Sequence, residues 1–187
     1  MGKLIVISAP SGAGKTSIVK HLLENMDALS FSVSACSREK RENETDGKDY
    51  HFLGVAGFKK KIKEGSFLEW EEVYENQFYG TLKSELQRVW NEGKVVIFDV
   101  DVIGGLRIKK LYPKDCLSIF IMPPSVDVLR KRLTGRGSES EEKLELRLTK
   151  AEKEISKNQQ FDEIILNDDF KIACEETIVA IKKFINS

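Results

Sequence analysis

Ser8-Ala9-Pro10-Ser11-Gly12-Ala13-Gly14-Lys15-Thr16 follows an apolar run, Leu4-Ile5-Val6-Ile7, and precedes Ile18, Val19, Leu22, Leu23 and Met26 at helical spacing. Strand, glycine-rich loop and helix in that order are the context in which a loop binds phosphate. Gly12 and Gly14 let the backbone turn with its N–H groups inward, where side chains would block a phosphate. The helix that begins near Lys15 adds the positive end of its dipole. Lys15 supplies a mobile point charge, and the Thr16 hydroxyl is placed to ligate Mg²⁺. The pattern G-x-x-x-x-G-K-[ST] is met except at its first position, Ala9. That substitution constrains the exit from the strand and removes no phosphate donor. Ala9, Pro10, Ser11, Gly12, Ala13, Gly14, Lys15 and Thr16 are therefore expected to cradle nucleotide phosphates. The loop leaves the second substrate open.

Working outward, four apolar runs lack strict alternation: 4 to 7, 95 to 100, 117 to 122 and 164 to 166. Such runs suit parallel strands covered on both faces. Helical patterns separate them, which predicts an α/β, doubly wound parallel sheet with ligands at the carboxyl ends of its strands. Residues 31 to 94 differ. Segments 31 to 36, 50 to 53, 67 to 74 and 77 to 81 are short and mostly aromatic-rich, as in antiparallel strands. A turn is expected at Asn76-Gln77, and helices at 58 to 64 and 82 to 91. The division expected is a core of residues 1–30, 95–125 and 161–187, an inserted small α+β lobe at 31–94, and a helical lid at 126–160.

The lid is strongly charged, with helices at 126 to 133 and 141 to 157. In the second, Leu144, Leu148, Ala151 and Ile155 form one apolar stripe with Arg147 beside it. Most lid charges belong to a solvated face. Arg136, between Gly135 and Gly137, suits a mobile phosphate clamp.

The chain has 187 residues, enough for one domain with inserted lobes. Lysine plus arginine number 30 and aspartate plus glutamate 30, so no broad basic field points to nucleic acid or an anionic membrane. Met1-Gly2-Lys3 leads straight into a strand, without a signal-peptide pattern or long apolar span, which makes a cytoplasmic location the expectation. Cys36, Cys116 and Cys174 are widely spaced and read as buried reduced thiols.

Two further stretches carry chemistry. Arg38 and Arg41 stand three apart, ahead of a turn at Asp46-Gly47 and then Tyr50. They suit a forked grip on one dianionic phosphate with the Tyr50 hydroxyl as a third contact. A solvated basic stretch compensated by Glu39, Glu42 and Glu44 fits equally. Asp99 and Asp101 close the run at 95 to 98, with side chains on one side. Asp99 fits a Walker-B-like role, reaching Mg²⁺ or its waters. His21 and His51 receive no role.

The order A-P-S-G-A-G-K-T, S-R-x-x-R-x-x-E-x-x-G-x-D-Y-x-F, F-L-E-W, Y-G-T, D-V-D, P-P-S, G-R-G and N-D-D resembles guanylate kinases over nearly the whole chain. The resemblance implies a P-loop NTPase core and transfer of the γ-phosphoryl group of ATP to GMP or dGMP. By the same resemblance, Glu69 reads guanine, Ser34 and Thr81 contact the base through hydroxyls, and Asp101 accepts from its donors. Tyr79 joins Tyr50, Arg38 and Arg41 on the acceptor phosphate. Arg136 approaches the ATP phosphates and Asn167 lies near the adenine. Lys15, Arg38, Arg41, Arg136 and Arg147 form the catalytic set. A carboxylate suits guanine's adjacent N1–H and N2–H₂ donors, whereas adenine would leave buried polar groups unpaired. Discrimination against AMP of roughly 10⁴ is physically reasonable. The expected partners are the two nucleotides, with neither nucleic acid nor membrane, and the chain is expected as a monomer or small homo-oligomer.

Departures from the family pattern are Cys36-Ser37 for two threonines, Glu39-Lys40 for a Thr-Pro-like pair, Asn43 for glycine and Ile103 for glutamine. None removes a phosphate or guanine contact. Two rivals stay open: a P-loop kinase for another monophosphate or an alcohol, and a non-catalytic guanylate-kinase-like interaction module.

Overall fold

The computed structural model describes residues 2–134 and 141–187. Its central sheet has the order β2 (Leu29–Phe31), β7 (Val95–Asp99), β1 (Leu4–Ser8), β8 (Cys116–Met122) and β9 (Glu163–Leu166). Every pairing in it is parallel. The absence of alternation in β1 has a direct cause. Leu4 and Val6 pack with Val96, Phe98, Leu86, Val89 and Ile108 on one face, while Ile5 and Ile7 pack with Ile18, Leu22 and Ile181 on the other. Each such side chain contributes about 1.5–3 kcal/mol when fully buried, so both faces demand apolar residues.

Helices α1 (Lys15–Asn25) and α7 (Phe170–Ile185) cover the second face, and α3 (Lys83–Asn91) and α4 (Val102–Leu111) the first. Helices α5 (Val126–Thr134) and α6 (Glu141–Ile155) send Leu129, Leu133, Leu144, Leu148 and Ala151 into the same cluster as α1. The stripe predicted for α6 is thus the face it buries. No described helix is long and apolar enough to cross a membrane. Cys36, Cys116 and Cys174 are buried and unpaired.

A second sheet has the order β4 (His51–Phe52), β3 (Ala35–Cys36), β6 (Gln77–Leu82) and β5 (Phe67–Tyr74), with α2 (Gly54–Lys63) against it. Its core is a stack: Phe58 lies on Phe67 at 4.3 Å between ring centroids and on Phe78 at 5.5 Å. Four details differ from expectation. Helix α2 begins at Gly54 rather than at 58. Segment 31 to 36 is not one stretch: Leu29–Phe31 pairs with Val95–Ile97 in the central sheet, and only Ala35–Cys36 joins the second. The β3–β4 pair is parallel rather than antiparallel. The hairpin turn is Glu75-Asn76, one residue earlier than expected, with Asn76 in the left-handed region at φ 58°. Asparagine tolerates that conformation, which places it inside the turn rather than at its start.

Candidate active site

The glycine-rich loop folds as its composition requires. Gly12 has φ 89° and Gly14 φ 94°, left-handed values that side chains resist, and Gly14 caps α1. A Cβ on Gly14 would also lie 2.3 Å from the Asn167 amide nitrogen. Asn167 is 4% exposed, and its Nδ2 donates to the Ala13 carbonyl at 2.6 Å. It sits beneath the loop and holds the Ala13 carbonyl. Arg132, which no motif singles out, donates from NH2 to the Asn167 carbonyl at 3.1 Å.

The carboxyl end of β7 faces this loop. Lys15 Nζ lies 2.5 Å from Asp99 Oδ1 and donates to the Val100 carbonyl at 2.8 Å. Thr16 Oγ1 donates to Asp99 Oδ2 at 3.3 Å. Ser8 Oγ lies 3.2 Å from the Val100 carbonyl and 3.1 Å from that of Asp101. One carboxylate thus orders both the loop cation and the hydroxyl. A hydroxyl and a carboxylate are hard oxygen donors of the kind Mg²⁺ takes while keeping its waters. The cleft above holds about 750 Å³ and is lined by Ser11, Gly12, Lys15, Thr16, Asp99 and Arg147, among others.

Its wall also includes Ser34, Tyr50 and Asp101, which continue into a smaller recess of about 200 Å³ with Glu69, Tyr79 and Gly104. Thr81 is 1% exposed and donates its hydroxyl proton to Glu69 Oε1 at 2.8 Å. Its hydroxyl thus stands against the carboxylate of Glu69. Asp101 caps α4, accepting from the Gly104 N–H at 2.7 Å. Burial pushes the Glu69 carboxyl above its ordinary value; the Thr81 hydrogen bond and Arg107 oppose this, and the charge of Asp101 adds to it. Arg107 donates to the Trp70 carbonyl at 3.1 Å, so α4 also holds the strand that carries Glu69.

Arg38 and Arg41 do not line either cavity. Arg38 forks onto Glu44, NH1 to Oε2 and NH2 to Oε1, both at 2.6 Å, and Glu44 Oε2 accepts the Arg41 backbone N–H at 2.9 Å. Arg38 also lies over the rings of Tyr50 and Phe52, at 5.1 and 5.4 Å. The hydrogen bond from Arg38, then that from Arg41, hold the Glu44 carboxyl down to about 2. Its contribution to stability is present above the ordinary carboxylate range and is lost as pH falls through about 2. Of the three glutamates weighed as compensating charges, Glu44 is the one whose carboxylate Arg38 meets; Glu39 accepts from Arg38 NH1 through its backbone carbonyl at 3.0 Å. The Arg38 Nε is buried without a partner among the described residues, leaving a donor unused beside Tyr50.

From the lid, Arg147 NH2 donates to Ser11 Oγ at 2.5 Å. Lys150 and Glu154 line the same cleft. Both belong to the charged face expected to be solvated, although their spacing of three and seven from Arg147 puts all three on one helical face. Arg136 lies outside the described residues.

A family model described as guanylate kinase matches residues 1–187. The chain is 48% identical over 185 residues to a guanylate kinase of Bacteroides thetaiotaomicron, covering 99% of this chain and 91% of that one. It is 48% identical over 186 residues to a guanylate kinase of Porphyromonas gingivalis, covering 99% of each. The crystal structure of guanylate kinase from Anaplasma phagocytophilum superposes with a TM-score of 0.73 at 31% identity, covering 99% of this chain and 85% of that one. A matching family model over the full length, close relatives at full coverage and a phosphate-loop cleft that opens onto a buried carboxylate agree: the chain belongs to the guanylate kinase family.

Proposed function

We propose that this chain carries out ATP-dependent phosphorylation of GMP, and of dGMP, with the donor's phosphates on the glycine-rich loop and the acceptor's base in the Glu69 recess. The observation that carries this reading is the continuity of the two cavities, which share Ser34, Tyr50, Asp99 and Asp101. Two nucleotides entering from opposite ends would meet phosphate to phosphate beside Lys15.

The acceptor is itself an anion, so no general base is required. The obstacle is repulsion between two polyanions, and the catalytic task is positioning plus charge neutralisation. The loop N–H groups and Lys15 hold the β- and γ-phosphates. Thr16 directly, and Asp99 through water, would hold Mg²⁺, which supplies charge to the phosphate oxygens when bound. Tyr50, Tyr79, Arg38 and Arg41 receive the acceptor phosphate, the arginines held ready by Glu44. Arg147 from the lid, with Arg136, neutralises charge as it develops on the transferring group. Glu69 accepts from guanine N1–H and N2–H₂, and Asp101 and Ser34 complete the recess. Asn167 supports the loop and lies near the donor's adenine.

A coupled assay of ADP production against GMP, dGMP, AMP, dTMP and UMP tests the reading. Turnover is expected with the two guanine nucleotides. Equal rates with AMP, or binding of the chain to ATP and Mg²⁺ without turnover of any monophosphate, would overturn it.

A further inference from the structure

The recess that takes the acceptor is built by side chains of the small lobe, yet two of its walls hang from a residue of the core. Glu85 lies on α3, which packs on the central sheet, and is 5% exposed. Its Oε2 accepts the backbone N–H of Val33 at 3.0 Å, and its Oε1 lies 3.2 Å from Nε2 of His51. Arg88, one turn on, donates to both oxygens at 3.3 and 2.9 Å and to the Phe31 carbonyl at 2.8 Å. Burial opposes the charge on Glu85, but the hydrogen bonds from Arg88 and Val33 prevail and its carboxyl lies below the ordinary value. An ionised carboxylate only accepts, so Nε2 of His51 carries the proton.

The two groups held this way flank the recess. Val33 precedes Ser34, and His51 follows Tyr50; Ser34 and Tyr50 line both cavities. The two stretches are tied to each other as well. The His51 N–H donates to the Ser34 carbonyl at 2.9 Å, and Ala35 pairs with His51 in the parallel register of β3 and β4. Residues 32 to 34 are also the passage between the two sheets, since Phe31 ends β2 in one and Ala35 begins β3 in the other. One buried carboxylate therefore fixes both the chain crossing and the strand beside it.

We propose that Glu85 is a positioning residue for the acceptor nucleotide: with His51 it holds Ser34 and Tyr50 at the spacing that base and phosphate of one GMP require. It touches no substrate. A buried acid whose partners lie on the passage between the sheets, on a strand of the second sheet and on its own helix sets a distance, and an error of one ångström at such a site costs up to a hundredfold. This inference rests on Ser34 and Tyr50 being acceptor contacts.

The test measures KM for GMP and for ATP separately in Glu85→Gln, His51→Leu and His51→Gln, with thermal melts alongside. Glu85→Gln keeps an acceptor for Val33 and loses the charge; His51→Leu removes the donor from the other side. Both are expected to raise KM for GMP about 10-fold, a loss of about 1.4 kcal/mol, with KM for ATP within about twofold. His51→Gln, which restores an N–H donor, is expected to recover most of the loss. A GMP KM unchanged in both variants, or GMP and ATP constants rising together, overturns the proposal. If Glu85→Gln does not fold, the two His51 variants decide alone. Ser34→Ala and Tyr50→Phe serve as controls. Should these leave KM for GMP unchanged, the assignment of the recess fails; should they raise it while the Glu85 and His51 variants do not, only the role of Glu85 fails.

Discussion

The two ends of the cleft are built in opposite ways. The proposed donor end comes from one contiguous stretch, Ala9 to Thr16, a backbone cradle whose shape is set by two left-handed glycines and a buried amide beneath. The acceptor end gathers side chains from β5 and β6, from Ser34 and Tyr50 just ahead of the two-residue strands β3 and β4, and from Asp99 and Asp101 at the end of β7. A backbone cradle on a sheet buried on both faces is rigid by construction. A recess of side chains depends on hydrogen-bonded braces: Thr81 under Glu69 and Asp101 on Gly104 within it, and Glu44 under Arg38 beside Tyr50. Damage at the donor end should be severe and concentrated. Damage at the acceptor end should be graded and specific to GMP.

The sharpest break in this contrast is Lys15→Met. Turnover should fall by about 10³-fold or more, with the melting temperature little changed, because Lys15 meets Asp99 at the cleft surface and not in the core. Retention of even a tenth of the activity would show that the loop is not the donor site.

Glu69→Gln comes next. Its kcat/KM for GMP should drop roughly 10²-fold, with the KM for ATP unaffected; a matching loss for ATP would make Glu69 structural. The raised Glu69 carboxyl adds a pH signature. In the wild type, kcat/KM for GMP should climb as pH rises through that carboxyl's titration, above the ordinary range, and the glutamine variant should lack this limb. Stability should move the other way. A carboxyl whose folded value is raised favours the fold below its unfolded value and loses that contribution as pH rises. At neutral pH the glutamine variant should therefore melt higher than the wild type, and the gap should close in acid.

Glu44→Gln should raise the KM for GMP about 10-fold, because Arg38 loses the carboxylate that fixes its fork beside Tyr50. An unchanged KM would mean that the Arg38–Glu44 pair is surface dressing. The smallest effect is expected from Asn167→Ala. Loss of one hydrogen bond to Ala13 should raise the KM for ATP by about 3- to 10-fold and leave that for GMP alone. This is the donor-end counterpart of Glu44, and comparing the two measures how far each end relies on its braces.

Wherever the determinant is local, the sequence was a sufficient guide. The loop was legible because strand, glycines, lysine and helix are adjacent in the chain. The strands β1, β7, β8 and β9 were legible because burial on both faces leaves unbroken apolar runs. Strand β2 was missed as a core strand because Leu29–Phe31 is three residues long and joins the sheet only through its partner β7. Lys150 and Glu154 are not legible as cleft residues because a charged helix face looks solvated until something packs opposite it.

Residue types and spacing alone settled that this chain has a phosphate loop on a parallel sheet, and the order of its motifs pointed to its family. Only the tertiary structure decided which charges stand in pairs: Glu44 with Arg38, Asp99 with Lys15, Glu85 with His51 and Arg88. The physical reason is range. Backbone conformation and burial patterns are written within a few residues, whereas a carboxylate's partner is set by whichever donor the fold brings within about 3 Å, and that donor can lie anywhere along the chain.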